Sequence, residues 1–209
     1  MKEMKKQHKI IIIYIIVLVL IIAFVIVGLK VFKKEEEKPV TNITNITNQI
    51  DSYGYTLDDR DSQLMKDKFE ELKILLNEEK YNVETYISLI SEIFIIDYFT
   101  INNKVSKYDV GGLEILHSSA KDSFQAKSLN TLYKYVNDNS YNDRTQSLPV
   151  VSSTKIVSIT KDTYQMDDKK VPSYKVVIEW NYEADLGYQK EGTLVLVEEN
   201  NKYGIVSFK

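Results

Sequence analysis

The polarity of the chain changes abruptly along its length. Residues 10–29, IIIIYIIVLVLIIAFVIVGL, run for twenty positions with no charge and a single tyrosine. At about 1.5 Å per residue, a helix of this length measures roughly 30 Å, the thickness of a bilayer's hydrocarbon core. A soluble helix of this kind would need apolar neighbours on every side, and the remaining chain is too polar to supply them. The pattern therefore predicts a transmembrane helix over residues 10–32. A cleaved signal peptide has an apolar region of only about 7–15 residues followed by small residues. Here the run leads into Lys30, Phe32, Lys33 and Lys34, and the chain has no cysteine to carry a lipid, so the helix is expected to stay as an anchor. Lysines flank it on both sides (Lys2, Lys5, Lys6 and Lys9 before; Lys30, Lys33, Lys34 and Lys38 after), so the near flanks tie under the positive-inside rule. Length breaks the tie, because long domains translocate regardless of charge. Residues 1–9 are expected to be a cytoplasmic tail and the bulk of the chain to lie outside the cell membrane.

Beyond the anchor, KKEEEK and then Pro39 open a polar juxtamembrane linker expected over residues 33–56. Its repeat TNITNITNQI contains two N-glycosylation triplets, Asn42-Ile43-Thr44 and Asn45-Ile46-Thr47. The Lys-, Asn- and Ile-rich composition suggests a bacterial envelope, where these triplets would be incidental. A slack tether is one expectation for this stretch. The other comes from Ile43, Ile46, Ile50, Tyr53 and Leu57, spaced three, four, three and four apart like the a and d positions of a coiled coil. Isoleucine at both positions favours three or more strands, whereas Thr, Asn and Gly54 oppose a helix.

The extracytoplasmic domain is expected over residues 57–209, and its first half has helical periodicity. Met65, Phe69, Leu72 and Leu76 recur at helical spacing, with Thr56 or Asp58 as candidate caps. Asn82 can cap a second helix, in which Tyr86, Ile90, Ile93 and Ile96 or Asp97 lie on one side and Leu89 and Phe94 widen the stripe. After DVGG, Leu113, Leu116, Ala120 and Phe124 share a third helical face, which Leu129, Leu132, Tyr133 and Val136 continue after a break. Beyond Pro149 the period becomes two. STKIVSITKDTYQ, SYKVVIEWNYEA, YQKEGTLVLVEE and KYGIVSF read as a meander joined through DLG and NNK turns. Tyr174, Val176, Ile178, Trp180 and Tyr182 fall on one face of the second strand. Helices followed by consecutive strands define an α+β domain of about three helices packed on one face of a curved, four-stranded antiparallel sheet.

This order, a short tail, one membrane helix, helices and then a four-stranded meander, resembles the bitopic assembly-factor family of type IV secretion and conjugation machines. The resemblance implies a cone-shaped extracytoplasmic domain like nuclear transport factor two, acting as a scaffold for other envelope proteins. It spans nearly the whole chain but is one of element order. The Asn-Pro-x-Gly turn frequent in that family is missing, since the chain has no Asn-Pro dipeptide, and no residue role carries over.

Composition narrows the chemistry. A net charge of −3 with 27% charged residues makes no case for a nucleic-acid partner. With no cysteine and only His8 and His117, a thiol nucleophile and a structural Cys/His zinc site are excluded. Neither a P-loop nor a G-x-G-x-x-G is present, and DVGG, residues 109–112, reads more simply as a flexible helix-start loop than as a phosphate cradle. Asp58, Asp59 and Asp61 lack the spacing of a calcium loop and suit the negative charge favoured at a helix start. Trp180 and the 15 tyrosines fit the half-buried strands of a core better than a sugar-binding row. Asp97, within IFIIDYFT, is the one candidate acid or base. In a cone pocket with Tyr98 and His117 it would gain the raised pKa suited to proton transfer; at a helix edge it would simply be hydrogen-bonded or wet. No catalytic, cofactor-binding or metal-ligating residue is assigned. The expectation is a non-enzymatic anchored protein that binds envelope proteins, with self-association open; the alternative is a ligand-binding or enzymatic pocket around Asp97 and His117.

Overall fold

The computed structural model describes residues 45–209. The expected tail (1–9), membrane helix (10–32) and first part of the linker (33–44) lie outside the described residues. Among the described residues no helix is long and apolar enough to cross a membrane.

The domain begins earlier than its sequence periodicity predicts. Ile46–Ile50 (β1) and Tyr55–Asp58 (β2) pair antiparallel, so the end of the expected linker is a hairpin rather than a tether or a coil. Gly54, at φ +68°, closes its turn. The heptad spacing fails physically because its members serve different purposes. Ile50 and Leu57 are buried, while Ile46 is 57% exposed. The Tyr55 and Tyr86 hydroxyls lie 2.7 Å apart and the Tyr53 and Tyr81 hydroxyls 3.2 Å apart, tying the hairpin to the start of the central helix. Tyr203 extends this aromatic group from Tyr86 to Tyr174.

Three helices follow. In Gln63–Leu76 (α1), Met65, Phe69 and Leu72 are buried as the spacing predicts. Its cap is Ser62, whose hydroxyl accepts from the Met65 N–H at 3.2 Å; Thr56 and Asp58 are committed to β2 instead. Val83–Phe99 (α2) starts at the predicted Asn82, whose side chain accepts from the N–H groups of Glu84 and Thr85 at 2.8 and 3.2 Å. This helix is buried on nearly every side, because α1 packs on one flank and the sheet on the other. Ser118–Asn130 (α3) is shorter than the periodicity predicts: Leu113 lies in a turn before it, Leu116 is bridged to Ile205, and His117 is its cap.

The sheet is the predicted meander. Val151–Met166 (β3), Lys169–Tyr182 (β4), Glu191–Glu199 (β5) and Lys202–Phe208 (β6) pair antiparallel in sequence order. Asn200 and Asn201, at φ +52° and +64°, form the two-residue turn between β5 and β6, a conformation that asparagine tolerates. Val176, Ile178, Trp180, Leu194 and Leu196 are at most 1% exposed and form the floor of the core under α2. The architecture is α+β: three helices, a four-stranded antiparallel sheet and the added hairpin.

The two edges of the sheet differ. Outside β6, residues 115–117 add a short parallel rung: the Ile205 N–H donates to Ile115 O at 2.9 Å and the His117 N–H to Ile205 O at 3.0 Å. This close approach requires Gly204, because a Cβ there would sit 2.7 Å from the His117 backbone. β3 pairs with β4 alone among the described residues, leaving its outer edge uncovered. Irregular register breaks that edge near Val151–Ser153 and Ile156–Ser158, but pairing is regular from Ser158 to Met166.

Candidate functional site

Asp97 lies in the last turn of α2, where the chain leaves the core. One carboxylate oxygen pairs with the Lys104 ammonium, and the other accepts the Gly112 N–H at 2.5 Å. The Lys104 side chain is only 6% exposed. Burial works against both charges, but each outweighs it for the other. The Asp97 carboxyl is held below its ordinary value by Lys104, the Gly112 N–H and Arg60; the Lys104 ammonium is held above its own by Asp97, Asp109 and Asp61. DVGG thus gives one main-chain N–H, that of Gly112, to the protein's own carboxylate. Gly111 is required there, since a Cβ would lie 2.2 Å from the Asp97 carbonyl oxygen. The Gly111 N–H donates to the Tyr133 hydroxyl at 3.1 Å, which itself donates to Tyr98 O at 2.8 Å.

A second ion pair adjoins the first. Arg60, in the turn after β2, contacts Asp109 at 2.6 Å and Asp58 at 3.0 Å. Asp109 also accepts the Val105 N–H at 2.9 Å. Arg144 donates to the carbonyls of Lys104 and Asn102 at 2.8 and 2.6 Å, closing the loop from outside. Asp58, Asp59 and Asp61 therefore do not occupy a helix start as expected; Asp58 ends β2 and Asp61 precedes the Ser62 cap. Burial pushes the Asp61 carboxyl up to about 6, reinforced by the nearby Asp97 and Asp58 charges, although the Asp58 N–H at 2.8 Å and Lys104 pull it down.

The three residues singled out in the sequence are held by different partners. Asp97 pairs with Lys104; the Tyr98 hydroxyl lies 3.1 Å from Ser128 Oγ; His117 Nδ1 accepts the Ser119 N–H at 3.1 Å. The remaining His117 nitrogen faces Glu199 at 3.9 Å. No hydrogen bond or ion pair joins the three among the described residues. Sequence reasoning missed Lys104, which in the sequence is only one of two lysines, with Lys107, in the loop just past α2. It named Tyr98 but not the aromatic side chains that gather around it. Tyr98 and Phe99, with Phe124, Leu132 and Phe208, wall a slot of about 380 Å³ between α3 and the end of the sheet. Lys127 and Lys209 stand at this slot, and no acidic side chain lines it. Trp180 is 1% exposed and packs on Phe99 with ring centroids 4.6 Å apart, so it belongs to the core. Among the described residues no group of acidic or histidine side chains is arranged to hold a metal ion.

No known protein family, curated protein or solved structure matches the chain.

Proposed function

We propose that this is a single-pass membrane protein with its N-terminus in the cytoplasm, whose extracytoplasmic domain works by binding other proteins. In this reading it is a non-enzymatic scaffold or assembly component of an envelope complex, with a conjugation or type IV secretion channel as the particular assembly and a cone-like domain as its body. The apolar run over residues 10–29 supports the anchor. The observation that carries the interaction role is the uncovered β3 edge. Its regular stretch from Ser158 to Met166 presents unpaired main-chain groups to which an extended segment of a partner can add as a further strand.

A photo-reactive residue at Ser158, exposed on this edge, tests the reading in membranes of cells producing the full chain. Cross-linked adducts are expected there and not from the same residue at Glu70, on the exposed side of α1. Recovery of neither a partner nor a homo-oligomer from Ser158 overturns it. The second reading, an enzymatic pocket around Asp97 and His117, has less support. Both Asp97 oxygens are engaged, and its carboxyl is shifted away from the range of a general acid.

A further inference from the structure

Resting on the reading that the protein binds through its β3 edge, we infer that the added strand is β3 of a second copy of this chain, the two sheets joining about a twofold axis. The main chain shows which groups are on offer. The Trp180 N–H donates to Lys190 O at 2.8 Å on the β5 side, so even-numbered residues of β4 face β5 and odd-numbered ones face β3. In β3 the partners of Ser173, Lys175 and Val177 are Asp162, Thr160 and Ser158. Ile159, Lys161, Thr163 and Gln165 are therefore the residues whose N–H and C=O groups point outward. The Thr163 N–H agrees, since it donates to the neighbouring Asp162 carboxylate at 2.7 Å and not to β4.

Symmetry and charge select one register. A twofold axis normal to the sheet reverses the strand but keeps its faces, so the axis must pass through a residue that lies opposite its own copy. In the regular stretch Ser158–Met166, SITKDTYQM, the only charged residues are Lys161 and Asp162. An axis at either would set like charges face to face, which is destabilising. Of the remaining positions Thr163 gives the longest overlap, from Thr160 to Met166 of both copies. There Thr163 meets Thr163, and Lys161 meets Gln165 on either side. All are outward-bonding residues, so each pair exchanges two main-chain hydrogen bonds. Facing threonines are a favourable cross-strand pair, and Asp167 of the second copy lies diagonally within reach of Lys161. With one charge of each sign the edge is its own complement, whereas a strongly acidic or basic strand finds no excess charge to answer it.

Among the described residues nothing stands in the way. Ile159 lies opposite the fully buried Val176, so the odd-numbered residues of this stretch are on the helix-bearing face. Lys161, Thr163 and Gln165 are nonetheless exposed, because α2 meets β3 at its other end, where the Thr154 hydroxyl donates to Glu92 at 2.8 Å. The same end of the hairpin lacks support. Pro172, opposite Thr163, has no N–H to offer β5, and the pairing of β4 with β5 stops at Ser173. Residues 163–172 thus stand beyond β5 as a two-stranded arm, a form that gains stability from further strands.

Because the chain has no cysteine, single cysteines placed in the full detergent-solubilised protein report the register directly. Copies of Thr163→Cys sit about 5.5 Å apart at the axis, and a short bismaleimide should link them into dimers. Copies of Thr160→Cys lie on opposite sides of the axis, about 20 Å apart, and should stay unlinked, as should Glu70→Cys on α1. Thr163→Pro removes an outward N–H without touching the pairing with β4, so light scattering should find it monomeric with native Trp180 fluorescence. The cross-linking decides even if the proline variant fails to fold. The second copy is overturned by no linking at Thr163→Cys, by equal linking at Thr160→Cys or Glu70→Cys, or by a folded Thr163→Pro chain that remains dimeric. It is also overturned if Ser158 photo-adducts contain only another protein, an outcome that leaves the edge as the binding site. Absence of any Ser158 adduct removes the edge itself, so the two failures are told apart.

Discussion

Asp97 keeps its charge at the end of a helix whose last stretch, residues 93–99, is otherwise apolar and aromatic, and it does so because Lys104 and the Gly112 N–H replace water. Removing only one partner leaves the other charge without compensation, the most damaging way to disturb such a pair. Lys104→Met should cost about 3 kcal/mol, and Lys104→Met with Asp97→Leu should recover part of that loss. Urea unfolding of the detergent-solubilised chain, followed by Trp180 fluorescence, measures both. Asp61 behaves oppositely to Asp97. Its carboxyl is raised to about 6 in the folded protein against an unfolded value of 3.8. Between about pH 4 and 6 the unfolded chain loses this proton before the folded one does, so the contribution of Asp61 to stability falls as pH rises through that window. Asp61→Asn keeps the acceptor for the Asp58 N–H but removes the ionisation. The variant should therefore gain on the native chain between pH 4 and pH 7, and unfolding curves at the two pH values would refute this by showing the same difference at both.

Helix α2 and the meander follow from local pattern, but the pieces that fasten them do not. The hairpin β1–β2 is held by tyrosine hydroxyls more than twenty residues away, and the outer rung on β6 comes from residues 115–117. That rung depends on Gly204, where an added methyl group would press on the His117 backbone. Gly204→Ala should destabilise the domain by about 2 kcal/mol through overpacking. More specifically, it should speed hydrogen exchange at the Ile205 and His117 amides, both of which bond across this rung, while leaving the β4 amides protected. Uniform loss of protection would mean that the rung has no separate identity.

The proposed placement of the whole chain across a membrane is open to a direct test, because the protein contains no cysteine. Tyr141, 88% exposed in the loop before β3, can be replaced by cysteine without touching the core. Tyr141→Cys should react with a membrane-impermeant maleimide on intact cells, or on spheroplasts if an outer membrane intervenes. Met4→Cys should react only after lysis. The reverse pattern would turn the chain around and remove the envelope reading.

Periodicity and the Asn82 cap were legible in the amino-acid sequence because they depend on neighbours two to four residues apart, whereas the Ser62 and His117 caps were not read there. Asn82 announces α2, the alternation from Tyr174 to Tyr182 announces β4, and Asn200-Asn201 announces a tight turn. The apolar run over residues 10–29 likewise carries its expectation within twenty adjacent positions. Only the tertiary structure decided what these elements do together. The spacing from Ile43 to Leu57 suits a coil as well as a tether, and burial of Ile50, Tyr55 and Leu57 against distant partners settles residues 46–58 as a hairpin. Asp97 could not be separated from an exposed helix-edge acid until Lys104 and Gly112 were brought to it, nor could Phe124 and Phe208 be seen as one wall. Such groupings join side chains far apart in sequence, and no local pattern encodes which distant residue fills the space beside a given atom.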